Sequence, residues 1–493
     1  MVQGAGAERN NKNISTRAES MLETARAAEV LRKAQSYRGD AAEAAELLLL
    51  GSDVEIAQRV ATKLRIVTKG HIVYCEGEFY GYSGKCWEAF PAYLLRRYVH
   101  TWDGKPIKAS SKPVRLSSGQ IGSILKEMAT VLAESGWFAV PKHGINCSNG
   151  FVEFGADGEP RLIAHDPAHR QRHVLEAEWH GPLSIEGSLL QRLLTGCFKG
   201  DDDAEDKRDL LGELMGSAAT GYATRLIAPK ALVLYGQTAE NGKSQVIEVC
   251  RGMLPQSAVS AVPPTKFGDD TYRIKLAGKL LNTSDELGSA GAIGSDMFKY
   301  LVTGEQVSAR GLYAPMVDFR STAQHVFASN GLPAFRGGMD QGVLRRLLVL
   351  QFNRKIPKDE RIAHLAERIL RDEMPLVLAW VVEGAARLLR QGAFTVPASS
   401  DDALMHWAQR ADAVHGWAAE RLVHGPTYRL SVSEAYDDFT KWAAANGHQR
   451  PPTKKTFSER LTGSGLVTKG KSGLFRGWVG VRLAGLLEQL AHE

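Results

Sequence analysis

Ala231-Leu-Val-Leu-Tyr-Gly-Gln-Thr-Ala-Glu-Asn-Gly-Lys-Ser-Gln245 is the stretch on which the fold turns. Its apolar opening predicts a buried strand, the small and polar residues that follow predict a loop, and a helix is expected from Lys243 onward. That order is the architecture of a phosphate cradle. Backbone N–H groups of the loop and of the helix N-terminus converge on an anion, where the helix dipole favours negative charge. In this reading Gly236, Gln237, Thr238, Ala239, Glu240, Asn241, Gly242, Lys243, Ser244 and Gln245 bind ATP. Lys243 reaches the β- and γ-phosphates, and the Ser244 hydroxyl holds Mg²⁺. The spacing departs from the usual pattern, which has four residues between its first glycine and Gly-Lys-Ser. Gly236 and Gly242 are separated by five, so Gln237 takes the first-glycine position of a strict match.

Working outward, 493 residues are too many for one ordinary core and predict about two to four domains. Hydrophobic content of 44% and charged content of 24% are those of a soluble globular protein. No apolar run is long enough to span a bilayer; the most apolar helix candidate, 376–389, is interrupted by Glu383 and Arg387. Membrane partners are therefore not expected. The polar opening lacks the apolar centre of a secretory signal. Cys75, Cys86, Cys147, Cys197 and Cys250 are scattered without a Cys-x-x-Cys or a Cys/His cluster, so metal-site spacing is absent and the usage suits a reducing cytoplasm. A net charge of +6 permits an acidic partner without establishing one.

Composition divides the chain into four. Residues 1–60 read as a polar, mobile arm followed by alanine-rich helices. Residues 61–205 read as an α+β domain, with a small hairpin at 71–87 and a second β-rich patch at 149–163. Residues 206–395 alternate strands and helices and predict an α/β nucleotide-binding core. The best linker candidate is 396–401, and 396–493 reads as a helical and basic β module.

A phosphate loop calls for a second feature, an apolar strand ending in acid residues. Leu280-Leu-Asn-Thr-Ser-Asp-Glu286 supplies it: Asp285 positions Mg²⁺ through its water shell, and Glu286 polarises the attacking water. An Asp-Glu pair at a strand end is also an ordinary structural feature. Three further blocks follow in order. Phe298-Lys-Tyr-Leu-Val-Thr-Gly-Glu-Gln-Val-Ser-Ala-Arg-Gly-Leu-Tyr313, Phe327-Ala-Ser-Asn-Gly-Leu-Pro333 and Asp340-Gln-Gly-Val-Leu-Arg-Arg346 resemble the motifs of superfamily 3 helicases. The pattern is similar to the phage and plasmid primase-helicase family, which includes the poxvirus primase-helicase. Asn241-Gly-Lys-Ser244 matches that family's loop, although Gln237 and Ala239 stand where glycines are usual. Phe79–Trp87 and Asn149–Phe154 resemble its helicase-preceding domain.

The resemblance spans roughly 50–485 and implies an AAA+-like P-loop core with a mainly helical N-terminal region. It implies Asn330 as sensor of the γ-phosphate, and Arg345 or Arg346 as an arginine finger for a neighbouring site. A finger supplied in trans implies a homo-hexamer. Lys299 and Arg310 would then grip single-stranded or forked DNA on a hairpin, with movement 3′→5′. Too few residues precede the match for a primase domain. The expectation is therefore a helicase without primase, served by a separate primase or none, in a bacterial or phage-infected cell.

The C-terminal segment adds its own charge argument. Lys454, Lys455, Arg460, Lys471 and Arg476 lie in a basic stretch with Phe475 and Trp478 interleaved. A recognition-type helix over 456–461 and a wing over 470–480 would make a winged-helix DNA-binding domain; basic solvated surface is the competing reading. Two alternatives to a replicative helicase stay open. One is a non-catalytic DNA-binding adaptor, the other an ATPase that loads or remodels nucleoprotein without unwinding.

Overall fold

The structure, a computed structural model, describes residues 24–36, 48–236, 238–285, 287, 291–312, 316–331, 333–448, 451–472 and 475–485, with the side chains of 471–476 outside that description. The arm expected over the first twenty residues lies outside the described residues. The chain has a mixed α/β fold with a parallel sheet, and it divides into two compact units. One is Met1–Glu153 with Leu162–Glu178; the other is Phe154–Arg161 with Trp179–Glu493.

In the first unit the helix Asp53–Val67 starts at Ser52, whose hydroxyl accepts the Glu55 N–H at 3.2 Å. The Glu55 carboxylate turns back to accept the N–H groups of Leu49, Leu50 and Gly51, so this entrance leaves few donors unmatched. Its apolar face, with Val60 and Leu64, packs with Ile121, Ile124 and Met128 of the helix Ser118–Val131. The hairpin expected at 71–87 is present as the antiparallel strands Ile72–Cys75, Glu78–Tyr82 and Trp87–Ala89. Its two-residue turn puts both Glu76 (φ 52°) and Gly77 (φ 88°) in the left-handed region, as such a tight hairpin demands.

The second unit is built on five parallel strands. We label them β1 (Ala231–Tyr235), β2 (Val259–Ser260), β3 (Leu281–Ser284), β4 (Gln324–Ser329) and β5 (Leu347–Gln351). They lie in the order β5-β1-β4-β3-β2. Parallel strands are covered on both faces, which is why β1 reads as an apolar run, β5 as four apolar residues before Gln351, and all six residues of β4 are buried. Gln324, polar and central, is satisfied on both sides of its amide: it accepts from Ser217 at 2.9 Å and donates to the Lys230 carbonyl at 2.8 Å.

Around this sheet lie the helices α1 (Leu189–Phe198), α2 (Ala204–Ala219), α3 (Lys243–Gly252), α4 (Ser295–Val302), α5 (Met374–Gln391) and α6 (Ala398–Ala411). Helices α2 and α5 cross closely through glycine. A Cβ on Gly216 would strike the backbone of Ala385, and one on Gly384 the backbone of Gly212. The fully buried Glu213 is held there by Arg387 at 2.9 Å and by the N–H and hydroxyl of Thr395, both at 2.7 Å, as a buried charge requires.

The linker expected at 396–401 is corrected. Pro397 opens α6 instead, and the Ser400 hydroxyl, 1% exposed, accepts the Val349 N–H of β5. Trp407 of the same helix is buried against Phe335. The apparent linker composition, proline and two serines, is that of a helix start. The C-terminal module begins only after Asp412, with α7 (Ala413–Arg421), α8 (Val432–Ala445) and α9 (Lys454–Gly463). Three antiparallel strands accompany them in the order Leu422–Ser431, Phe475–Leu483, Thr468–Ser472. Trp417, Phe439, Phe457 and Trp478 fill its core. Among the described residues no helix is long and apolar enough to cross a membrane.

Candidate functional site

The loop after β1 is shaped by what surrounds it. The Gly236 N–H donates to Ser329 O at 3.3 Å, so the loop starts locked to β4. A Cβ on Gly236 would lie 2.8 Å from Phe352 O and 2.9 Å from Lys243 Nζ, leaving room for glycine alone. Asn241, 4% exposed, ties the loop internally by donating to Thr238 O at 2.7 Å. Gly242 opens α3 with φ 90°, and a Cβ there would run into Cys197 Sγ on α1. Burial pushes the Cys197 thiol up to about 12, so it packs as a neutral group.

Lys243 is 7% exposed, and its ammonium donates to Gly236 O at 2.9 Å. Burial holds its pKa below the usual lysine value. Thr238, Ala239, Glu240 and Ser244 are exposed, while Gln245 accepts the Ala366 N–H at 2.9 Å. Gln237 lies outside the described residues. Beside the loop opens a cavity of about 860 Å³ whose lining includes Arg192, Phe198, Gly242, Gln245, Arg361 and Leu365.

Sheet register decides what else meets this loop. Ser329 pairs with Tyr235, so the exposed Asn330 emerges beside Gly236. Asp285 follows β3 at the same end of the sheet; its carboxylate accepts from Arg251 Nη1 at 2.7 Å, while Arg251 Nε donates to Thr283 Oγ1 at 2.5 Å. That arginine, in the last turn of α3, is a partner that the spacing of motifs did not signal. Glu286 lies outside the described residues. Among the described residues no group of three or more His, Cys, Asp or Glu could hold a metal ion. The Ser244 hydroxyl and the Asp285 carboxylate are oxygen donors of the type Mg²⁺ takes, and the carboxylate is already held by Arg251.

Arg345 and Arg346 are not part of this cluster. They precede β5, at the opposite end of the sheet, where Arg346 O accepts the Ala231 N–H. The strands between the two ends rise roughly 16 Å. Arg346 folds back, with Nη1 donating to Gly342 O at 2.8 Å, and burial with the nearby Arg345 charge lowers its pKa. Arg345 is exposed.

The residues expected to meet DNA are spread over three places. Lys299 on α4 is paired with Asp296 and Asp340, both at 3.2 Å. Burial works against its charge, but hydrogen bonds from the ammonium to the two carboxylates outweigh that and raise its pKa. Arg310 is exposed just after the strand Gln306–Ala309, which forms an antiparallel hairpin with Val317–Arg320. On α9, Lys455 is exposed and Lys454 donates to Ser433 Oγ at 2.7 Å. Arg460 faces inward to Asp412 at 3.9 Å. Lys471 and Arg476 pair in the final hairpin, their side chains lying outside the described part.

Residues 234–346 match a family of unknown function, DUF5906. No curated protein matches the sequence. Among solved structures, the chain is similar to the A form of the apo C-terminal region of NrS-1, with 12% identity, 85% of this chain and 87% of that chain covered, and a TM-score of 0.44. Two further apo structures of that region match at 9% and 11% identity, covering 85% and 88% of this chain and 98% and 100% of theirs, with TM-scores of 0.40 and 0.43.

Proposed function

We propose that this chain is an ATP hydrolase that couples turnover to movement along DNA, a replicative helicase of a phage, plasmid or integrated element. The observation that supports the reading is that the loop after Tyr235, Asp285 and Asn330 all follow parallel strands at the same end of one sheet, where Glu240 and Gly242 of the loop line a cavity of about 860 Å³. On this reading the core is an AAA+-like P-loop NTPase, and the C-terminal module a winged helix with α9 toward DNA.

ATP phosphates would take the place of Gly236 O on the Lys243 ammonium, whose partial desolvation strengthens that contact. Ser244, with Asp285 through water, would hold Mg²⁺, which would supply positive charge against the phosphates. Glu286 would take the proton of the attacking water, and Asn330 would orient that water against the γ-phosphate. Arg345, exposed at the far end of the sheet, would serve the site of the next subunit, so the active form would be a ring, a homo-hexamer. Lys454 and Lys455 would contact DNA phosphates.

The test is ATP turnover by the full chain with and without single-stranded DNA. Turnover should rise with DNA, and Lys243→Ala should lower it by about 100-fold or more. Activity that survives Lys243→Ala refutes the assignment. One observation favours the second reading, a non-catalytic DNA-binding adaptor: Asp285 is already neutralised by Arg251. DNA binding without turnover would support the adaptor, and turnover without strand displacement on a fork would support a loader or remodeller.

A further inference from the structure

We propose that Glu240 is a strut of the nucleotide site, and that Arg361 and Lys355, by pinning its carboxylate, hold the loop in the shape that accepts a nucleoside triphosphate. The inference rests on the function proposed above and names what positions that site.

Glu240 adopts φ 66°, a left-handed conformation that a side chain of this size rarely takes. Such a conformation persists when its surroundings over-determine it. Here they do. The Ile356 N–H donates to Glu240 O at 3.0 Å, fixing the backbone. Arg361 donates to both carboxylate oxygens, at 2.5 and 2.7 Å, and Lys355 lies 3.6 Å away. The Arg361 hydrogen bonds hold the Glu240 carboxyl below the usual range, so it stays ionised. Arg361 is itself anchored, with Nε donating to Ile356 O at 2.8 Å. The clamp continues to α1, since Arg354 donates to Gly196 O at 2.7 Å and to Glu360 at 2.6 Å.

The stretch after β5 therefore grips the loop from the side of the cavity, which Glu240 and Arg361 both line. The five-residue spacing between Gly236 and Gly242 acquires a purpose: a longer loop carries a residue that reaches this clamp. The pair is half-exposed, so it contributes little to global stability, and its effect is local geometry.

The sign of one measurement separates the strut from plain electrostatics. A carboxylate beside phosphates repels them, so its removal alone would tighten nucleotide binding. A strut predicts weakening. The full chain carrying Glu240→Gln, Arg361→Gln or both is examined for amide hydrogen exchange over 236–244 without nucleotide, and for ATP turnover. Exchange should quicken about ten-fold in each single variant. KM should rise about five- to ten-fold with kcat within about two-fold, and the double variant should be no worse than the worse single. Unchanged exchange, tighter ATP binding in Glu240→Gln, or additive effects overturn the proposal. A wild-type chain that binds no nucleotide refutes the proposed function instead, and the exchange measurement still decides the strut. Should Glu240→Gln fail to fold, Arg361→Gln reports on the same contact.

Discussion

Gly242 answers two demands at once, a left-handed backbone and the absence of a Cβ against Cys197. The first is legible from a Gly-Lys-Ser at a helix start; the second depends on α1, more than forty residues earlier. The same split holds for Lys243, whose place after a strand and loop could be read, and for Glu240, whose partner Arg361 sits in a stretch without a motif. His325 shows how far burial can go beyond pattern. It lies on the central strand between Phe267 and Phe327, with Asn282 at 3.2 Å, and burial lowers its pKa from 6.5 to about 4. Between those values the unfolded chain binds a proton that the folded chain does not. Stability present above pH 6.5 is thus lost as pH falls toward 4, by about 3 kcal/mol in full. Urea midpoints at pH 7, 5 and 4 should show a shallower acid decline in His325→Gln than in wild type; equal declines would remove His325 from the account.

Among the elements, strands were the easier to read. The run at 231–235 is buried on both faces and has no alternative use for four successive apolar residues. The segment at 396–401 misled because a proline and serines mark helix starts as well as linkers, and only contact with Val349 distinguishes the two. The crossing of α2 and α5 was invisible for a similar reason: Gly212, Gly216 and Gly384 read as weak helix positions until the two backbones are seen to touch. Gly384→Val should destabilise the protein by about 1–3 kcal/mol through overpacking. Gly268→Ala, where a Cβ meets nothing within 4 Å, should change stability by less than about 0.5 kcal/mol. Denaturant midpoints of the two variants check the contrast, and a tolerated Gly384→Val would mean that the helices can separate freely.

For the whole molecule, strand direction governs what one copy can do alone. Arg345 lies at the end of the sheet opposite the loop, so on the proposed reading it acts only on another copy. Arg345→Ala should therefore abolish turnover while leaving ATP affinity within about three-fold. Mixing Arg345→Ala with Lys243→Ala should restore part of the activity, because some interfaces then join an intact loop to an intact arginine. No recovery on mixing, under conditions where copies exchange, would rule out a finger in trans. The basic C-terminal module divides in the same way: Lys455 is exposed, with only the exposed Glu459 of its own helix at 4.0 Å, whereas Arg460 is turned to Asp412.

Sequence alone determined the local order of this protein: the strand at 231–235 and the helix from Lys243, the strand at 281–284 that leads to Asp285, and the basic helix and hairpin near the C-terminus. Hydrophobic period and glycine placement act over a few residues, so they are written locally. Tertiary structure alone decided the company each residue keeps: Arg361 on Glu240, Arg251 on Asp285, Asp340 on Lys299, and Arg345 at the far end of the sheet. Those pairings join residues distant in the chain through strand order and packing, and a charge in a sequence does not name the partner that the fold will bring to it.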